Sequence, residues 1–98
     1  MEKVTPDELI SFAQTLEGQI LETNTRRNSF TVRAVEEGLE YTPLLTGKPR
    51  VQKRKWIDRV CEQFSETNSF IRRDYNYTVH GSYLLALIKR FLAEKRAT

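Results

Sequence analysis

Cys61 and His80 are the single thiol and the single imidazole of this 98-residue chain, and no acid or nucleophile stands at a recognisable motif spacing from His80. One cysteine excludes an internal disulfide and any multi-thiolate metal site within one chain, and with only His80 as a second soft ligand no structural zinc site is expected. Cys61 also falls in an apolar helical stripe, which suits a packing thiol rather than a nucleophile. Glu36-Glu37 reads as a surface turn pair. Gly47-Lys48 invites comparison with a phosphate-binding loop, but that motif needs Gly five places before the Gly-Lys pair and Ser or Thr after the Lys. Here those places hold Thr42 and Pro49. No catalytic group, metal or cofactor is expected, and the chain reads as non-enzymatic.

The chemistry that remains is that of fixed positive charge. TGKPRVQKRKWIDRV, residues 46–60, carries Lys48, Arg50, Lys53, Arg54, Lys55 and Arg59 with one acid, Asp58, among them. Residues 1–25 hold one base against five acids, residues 26–60 nine bases against four acids, and residues 61–98 six against four; the net charge is +3. The middle third is therefore where an anionic partner is sought first. A helix is expected from about Gln52, with Lys53, Arg54 and Lys55 in its first turn. There each charge opposes the helix dipole at about 0.3–1 kcal/mol at low salt. A bound anion would resolve the conflict, because a helix start presents free N–H groups to phosphate or carboxylate. Lys48 and Arg50 extend that site, Gly47 permits close backbone approach and Thr46 adds a hydroxyl. The other reading is a solvated basic face, salt-bridged to Asp7, Glu8 and Glu17 of the acidic first third.

These residues need a scaffold. Thr5-Pro6-Asp7-Glu8 is a helix start with cap, first-turn proline and capping box, and Leu9, Ile10, Ala13 and Leu16 make one apolar stripe up to Gly18. From Gln19 to Pro43 the period falls towards 2. Strands are expected at Ile20–Thr23, Ser29–Val35 and Leu39–Thr42, joined by the polar loop Thr25-Arg26-Arg27-Asn28 and the turn Glu36-Glu37-Gly38, as an antiparallel meander. Phe30, Val32 and Ala34 share one face of the middle strand; Thr31, Arg33 and Val35 share the other.

Residues 43–51 read as a loop. The following helix, to about Phe64, buries Trp56, Ile57, Val60, Cys61 and Phe64, with Trp56 in the core. Residues 65–80 show no period, and Phe70, Ile71, Tyr75 and Tyr77 are expected to tie them down. Ser82 caps a last helix whose buried face is Leu84, Leu85, Leu87, Ile88, Phe91 and Leu92. The expected fold is a single α+β domain over residues 1–98: an N-terminal helix, a three-stranded antiparallel sheet, and two C-terminal helices packed on one face. In plan alone it resembles small sheet-based DNA-binding domains of mobile-element integrases and plant transcription factors. None of their sequence motifs is present, and such a likeness assigns no function.

On this scaffold the leading partner is nucleic acid, with duplex DNA first. Lys48, Arg50, Lys53, Arg54 and Lys55 would contact phosphates and Arg26 and Arg27 would form a second grip at the hairpin tip. Arg33 is the candidate base reader, since arginine pairs bidentately with guanine. Arg72-Arg73 beside Tyr75 and Tyr77 suits stacking on unpaired bases, or else the tyrosines pack under the loop. The alternative partner is an acidic protein, or the acidic third of a second copy in a homo-oligomer. The opening MEKVTPDELI holds no apolar run of signal-peptide type, and no segment approaches the ~18 apolar residues of a membrane span. A reduced, cytoplasmic setting away from membranes is expected.

Overall fold

A computed structural model describes residues 2–24 and 26–97. Thr25, expected in the first hairpin loop, lies outside the described residues. Helix α1 spans Pro6–Thr15, and the Thr5/Glu8 capping box forms in both directions. Strands β1 (Leu21–Glu22), β2 (Ser29–Val35), β3 (Gly38–Pro43) and β4 (Arg50–Lys53) follow, then helix α2 (Arg54–Thr67), a 3-10 turn at Arg72–Tyr75 and helix α3 (Gly81–Ala97). Among the described residues, no helix is long and apolar enough to cross a membrane.

The sheet is antiparallel, with strands in sequence order. It has four strands rather than three, because Arg50–Lys53 adds to β3 where a loop was expected. Strand β4 escapes the usual period-2 signal because both residues on its inward face, Arg50 and Gln52, are polar, and of the two only Gln52 is buried. The amide is satisfied internally: Tyr41 Oη donates to Gln52 Oε1 at 2.7 Å, and Gln52 Nε2 donates to Thr78 Oγ1 at 2.9 Å. A buried polar side chain is tolerated when its hydrogen bonds are made.

Register separates the faces. Leu21, Phe30, Val32, Leu39, Tyr41 and Gln52 turn inward, and the three helices pack over them in one core with Leu9, Ala13, Ile57, Val60, Phe64, Leu84 and Ile88. Glu22, Thr31, Arg33, Glu40, Thr42, Val51 and Lys53 occupy the outer face. Tyr75 is fully buried and its hydroxyl donates to the Ser69 carbonyl at 2.8 Å, so the 3-10 turn anchors the segment without a period.

Three local expectations are corrected. Helix α2 begins at Arg54 rather than Gln52, because the preceding four residues pair with β3, and it runs on to Asn68, a left-handed C-cap at φ 54°. Helix α3 begins at Gly81, so Ser82 lies inside its first turn; Leu84 N instead donates to the His80 carbonyl at 3.3 Å. Trp56 is half-buried and outside the core, its ring 6.1 Å from that of Tyr77 with the Lys55 ammonium 5.0 Å from its centroid.

Candidate functional site

The charges at the start of α2 are partly met within the chain. Arg54 forms ion pairs with Asp7 of α1 and, at 3.6 Å, with Asp58 one turn along its own helix. The hydrogen bond to Asp7 raises its guanidinium above the ordinary arginine value. Asp7 was among the acids set against the basic face in the alternative reading of the sequence. Lys53 is the N-cap residue, with no side-chain capping bond, and Arg59 lies 4.6 Å from the centroid of the Tyr77 ring. Lys48 and Thr46 are exposed on the β3–β4 connection, where Thr46 Oγ1 accepts from Lys48 N at 3.3 Å. Arg33 is bound across the sheet to Glu40 at 2.7 Å.

A different grouping forms around the mouth of the core. Arg50 pairs with Tyr41 in the register and so lies on the inner face of β4, where it is nevertheless exposed. The β1–β2 loop brings Arg26 and Arg27 to the same grouping, Arg27 in the left-handed region at φ 55°. From the far side the 3-10 turn contributes Arg72 and Arg73, and the first turn of α3 contributes Ser82 and Tyr83. Arg72 Nη1 donates to Asn76 Oδ1 at 3.1 Å. Its side chain crosses the start of α3 close over Gly81, where an added Cβ would stand 3.2 Å from Arg72 Cδ.

Between these segments lies a concavity of about 600 Å³ lined by Arg26, Arg50, Arg72 and Arg73 with Asn24, Asn28, Asn76, Phe70 and Tyr83. A second, of about 590 Å³, adjoins it through Asn28, Arg50 and Tyr83 and adds Arg27, Leu44, Leu45 and Thr46. Among the described residues, no acidic side chain lines either. Among the described residues, ion pairs form at Arg33, Arg54, Arg90 and Arg96, and none forms at Arg26, Arg27, Arg50, Arg72 or Arg73.

The field of this cluster reaches into the protein. His80 lies behind the wall, its ring 6.3 Å from Tyr41 and 6.5 Å from Tyr83. Burial lowers its pKa, and the charges of Arg50 and Arg72 lower it further. A cleft lined by one sign of charge against low-dielectric walls focuses its potential on whatever enters. Cys61 stands apart from this site, buried on α2, where burial and then Asp58 and Glu8 push its thiol up to about 12. Such a thiol is an inert packing group at neutral pH.

The structure thus brings together Arg26, Arg27, Thr46 and Arg50 of the sequence candidates, and leaves Arg33, Lys48, Lys53, Arg54, Lys55 and Arg59 outside the two concavities. The three asparagines, Phe70 and Tyr83 were not singled out for binding in the sequence, and Arg72-Arg73 were considered only with Tyr75 and Tyr77, apart from the other basic residues. The Arg72-Arg73 pair was visible in the sequence, but the aromatic residues that share its cleft are Phe70 and Tyr83 rather than Tyr75 and Tyr77. Compared with models of known families, with curated proteins and with solved structures, the chain matches none.

Proposed function

We propose that this protein binds nucleic acid without acting on it chemically, holding the phosphate backbone in the arginine cleft. One observation carries the reading: five arginines from the hairpin loop, β4 and the 3-10 turn converge on two adjoining concavities that, among the described residues, have no acidic lining and give these arginines no ion pair. Arginine is suited to the task, because its planar donors match phosphate oxygens bidentately. Asn24, Asn28 and Asn76 add neutral donors and acceptors of the kind that meet sugar and base edges. The outer sheet face supports groove docking less well, since Glu22 and Glu40 share it and Arg33 is already bound to Glu40. A reduced, cytoplasmic setting belongs with this reading and with a buried free thiol.

The second reading is docking of an acidic protein segment. It is favoured by the apolar side chains that flank the cleft, above all Leu45 at 97% and Val79 at 78% exposure.

Fluorescence anisotropy with labelled nucleic acid, at two salt concentrations and with heparin as competitor, tests the reading. Arg26→Glu/Arg73→Glu should weaken binding at least about tenfold with an unchanged circular dichroism spectrum. It should also reduce the log–log salt slope by about 1.4–1.8, the share of two phosphate contacts. Lys53→Glu/Lys55→Glu should change affinity much less. Loss in the lysine variant alone would move the site to the start of α2. No binding by wild type at low salt would end the nucleic-acid reading.

A further inference from the structure

The shape and lining of the cleft say which form of nucleic acid it accepts. In a duplex the bases are stacked inside, and the phosphates lie on a convex wall that meets a flat or protruding basic surface. Here the arginines line a recess instead. Its walls carry the half-exposed ring of Phe70, at 38% exposure, and that of Tyr83. A duplex would leave those rings facing nothing.

Both rings are held from behind. Phe64 packs edge-on against Phe70 at 5.0 Å, Tyr41 stacks on Tyr83 at 5.2 Å, and Phe30 meets Tyr83 edge-on at 4.9 Å. A pre-set ring is a ready platform for a base, because stacking loses little when the platform needs no ordering. The volume of about 600 Å³ lies within the range of small-ligand sites, enough for one splayed nucleotide. The adjoining concavity then takes the next phosphate past Arg50 towards Arg27.

Resting on the nucleic-acid reading above, we infer that the cleft binds single-stranded nucleic acid. One unstacked nucleotide enters the larger concavity, its phosphate among Arg26, Arg50, Arg72 and Arg73 and its base against Phe70. Charge supplies affinity, and the ring supplies the preference for a strand whose bases are free.

Anisotropy with a short labelled single-stranded DNA, its blunt duplex, and an abasic strand of the same length tests this on the full chain. The single strand should bind at least about fivefold more tightly than either the duplex or the abasic strand, the lower end of what one stacked base contributes. Phe70→Ala should weaken the single strand by a similar factor and leave the abasic strand unchanged, so that the two losses do not add. Equal binding of single strand, duplex and abasic strand would overturn the inference while leaving the nucleic-acid reading intact. Binding of none of the three would remove both. Should Phe70→Ala unfold, the comparison of normal and abasic strands on wild type still decides.

Discussion

Gln52 occupies a position where a central row of a half-buried sheet would ordinarily carry an aliphatic side chain. Its two hydrogen bonds link β3 to the segment before α3 through Tyr41 and Thr78, and all three groups are buried. Burial holds the Tyr41 phenol well above its ordinary pKa, so it remains a donor across the working pH range. Removing the middle member strands both neighbours, and each buried unsatisfied group costs about 1–3 kcal/mol. Gln52→Ala should therefore lower the unfolding free energy by about 2–4 kcal/mol, read from the urea midpoint by circular dichroism. Tyr41→Phe removes one donor and keeps the ring, so a loss nearer about 1 kcal/mol is expected. Equal losses in the two variants would mean that the chain is not the unit of stability described.

Strand β4 depends on Gly38 as much as on its own residues. Gly38 sits at φ 151°, and a Cβ there would stand 2.2 Å from the Gln52 carbonyl oxygen and 3.0 Å from Arg54 N. Both are backbone atoms of the crossing from β4 into α2, where Arg54 N donates to the Glu37 carbonyl at 2.8 Å. Gly38→Ala must push the strands apart, and about 2–4 kcal/mol of destabilisation is expected, with Arg50 displaced from the cleft. Gly47→Ala is the control: φ is 68° but the space is open, so about 1 kcal/mol of backbone strain alone is expected. Thermal and urea unfolding of the pair separate crowding from strain.

The same junction shows what was legible in the sequence. The Thr5/Glu8 box, the alternation of Phe30, Val32 and Ala34, and the α2 stripe from Ile57 to Phe64 are local signals, and their elements form. Strand β4 was not legible, because its inward residues Arg50 and Gln52 are polar and the Gln52 amide finds its partners in Tyr41 and Thr78. The cleft was less legible still. Its arginines come from three segments distant in the chain, and only the fold shows that Arg50 shares a concavity with Arg72 while Arg54 pairs with Asp7.

His80 would couple the stability of the fold to any anion held in the cleft. The charged groups acting on it are Arg50 from β4 and Arg72 from the 3-10 turn, with the neutral rings of Tyr41 and Tyr83 beside it. Its folded-state pKa lies below the ordinary 6.5, burial being the larger cause and the two arginines the smaller. The unfolded chain therefore takes up this proton first as pH falls. The contribution to stability is complete above about 6.5, is lost as pH drops from there to the folded pKa, and levels off below it. A His80→Gln variant should lack that segment of the stability–pH curve.

A phosphate seated among the arginines would offset the charges of Arg50 and Arg72 and so raise the pKa of His80. By reciprocity, the same ligand should bind more tightly as pH falls through that range. NMR titration of the His80 ring protons, with and without a saturating single strand, measures the shift directly. A rise on binding puts the occupant's charge against Arg50 and Arg72. An unchanged titration under saturation would mean that the strand is held elsewhere, and the positive side chains at the start of α2 would be the next to probe.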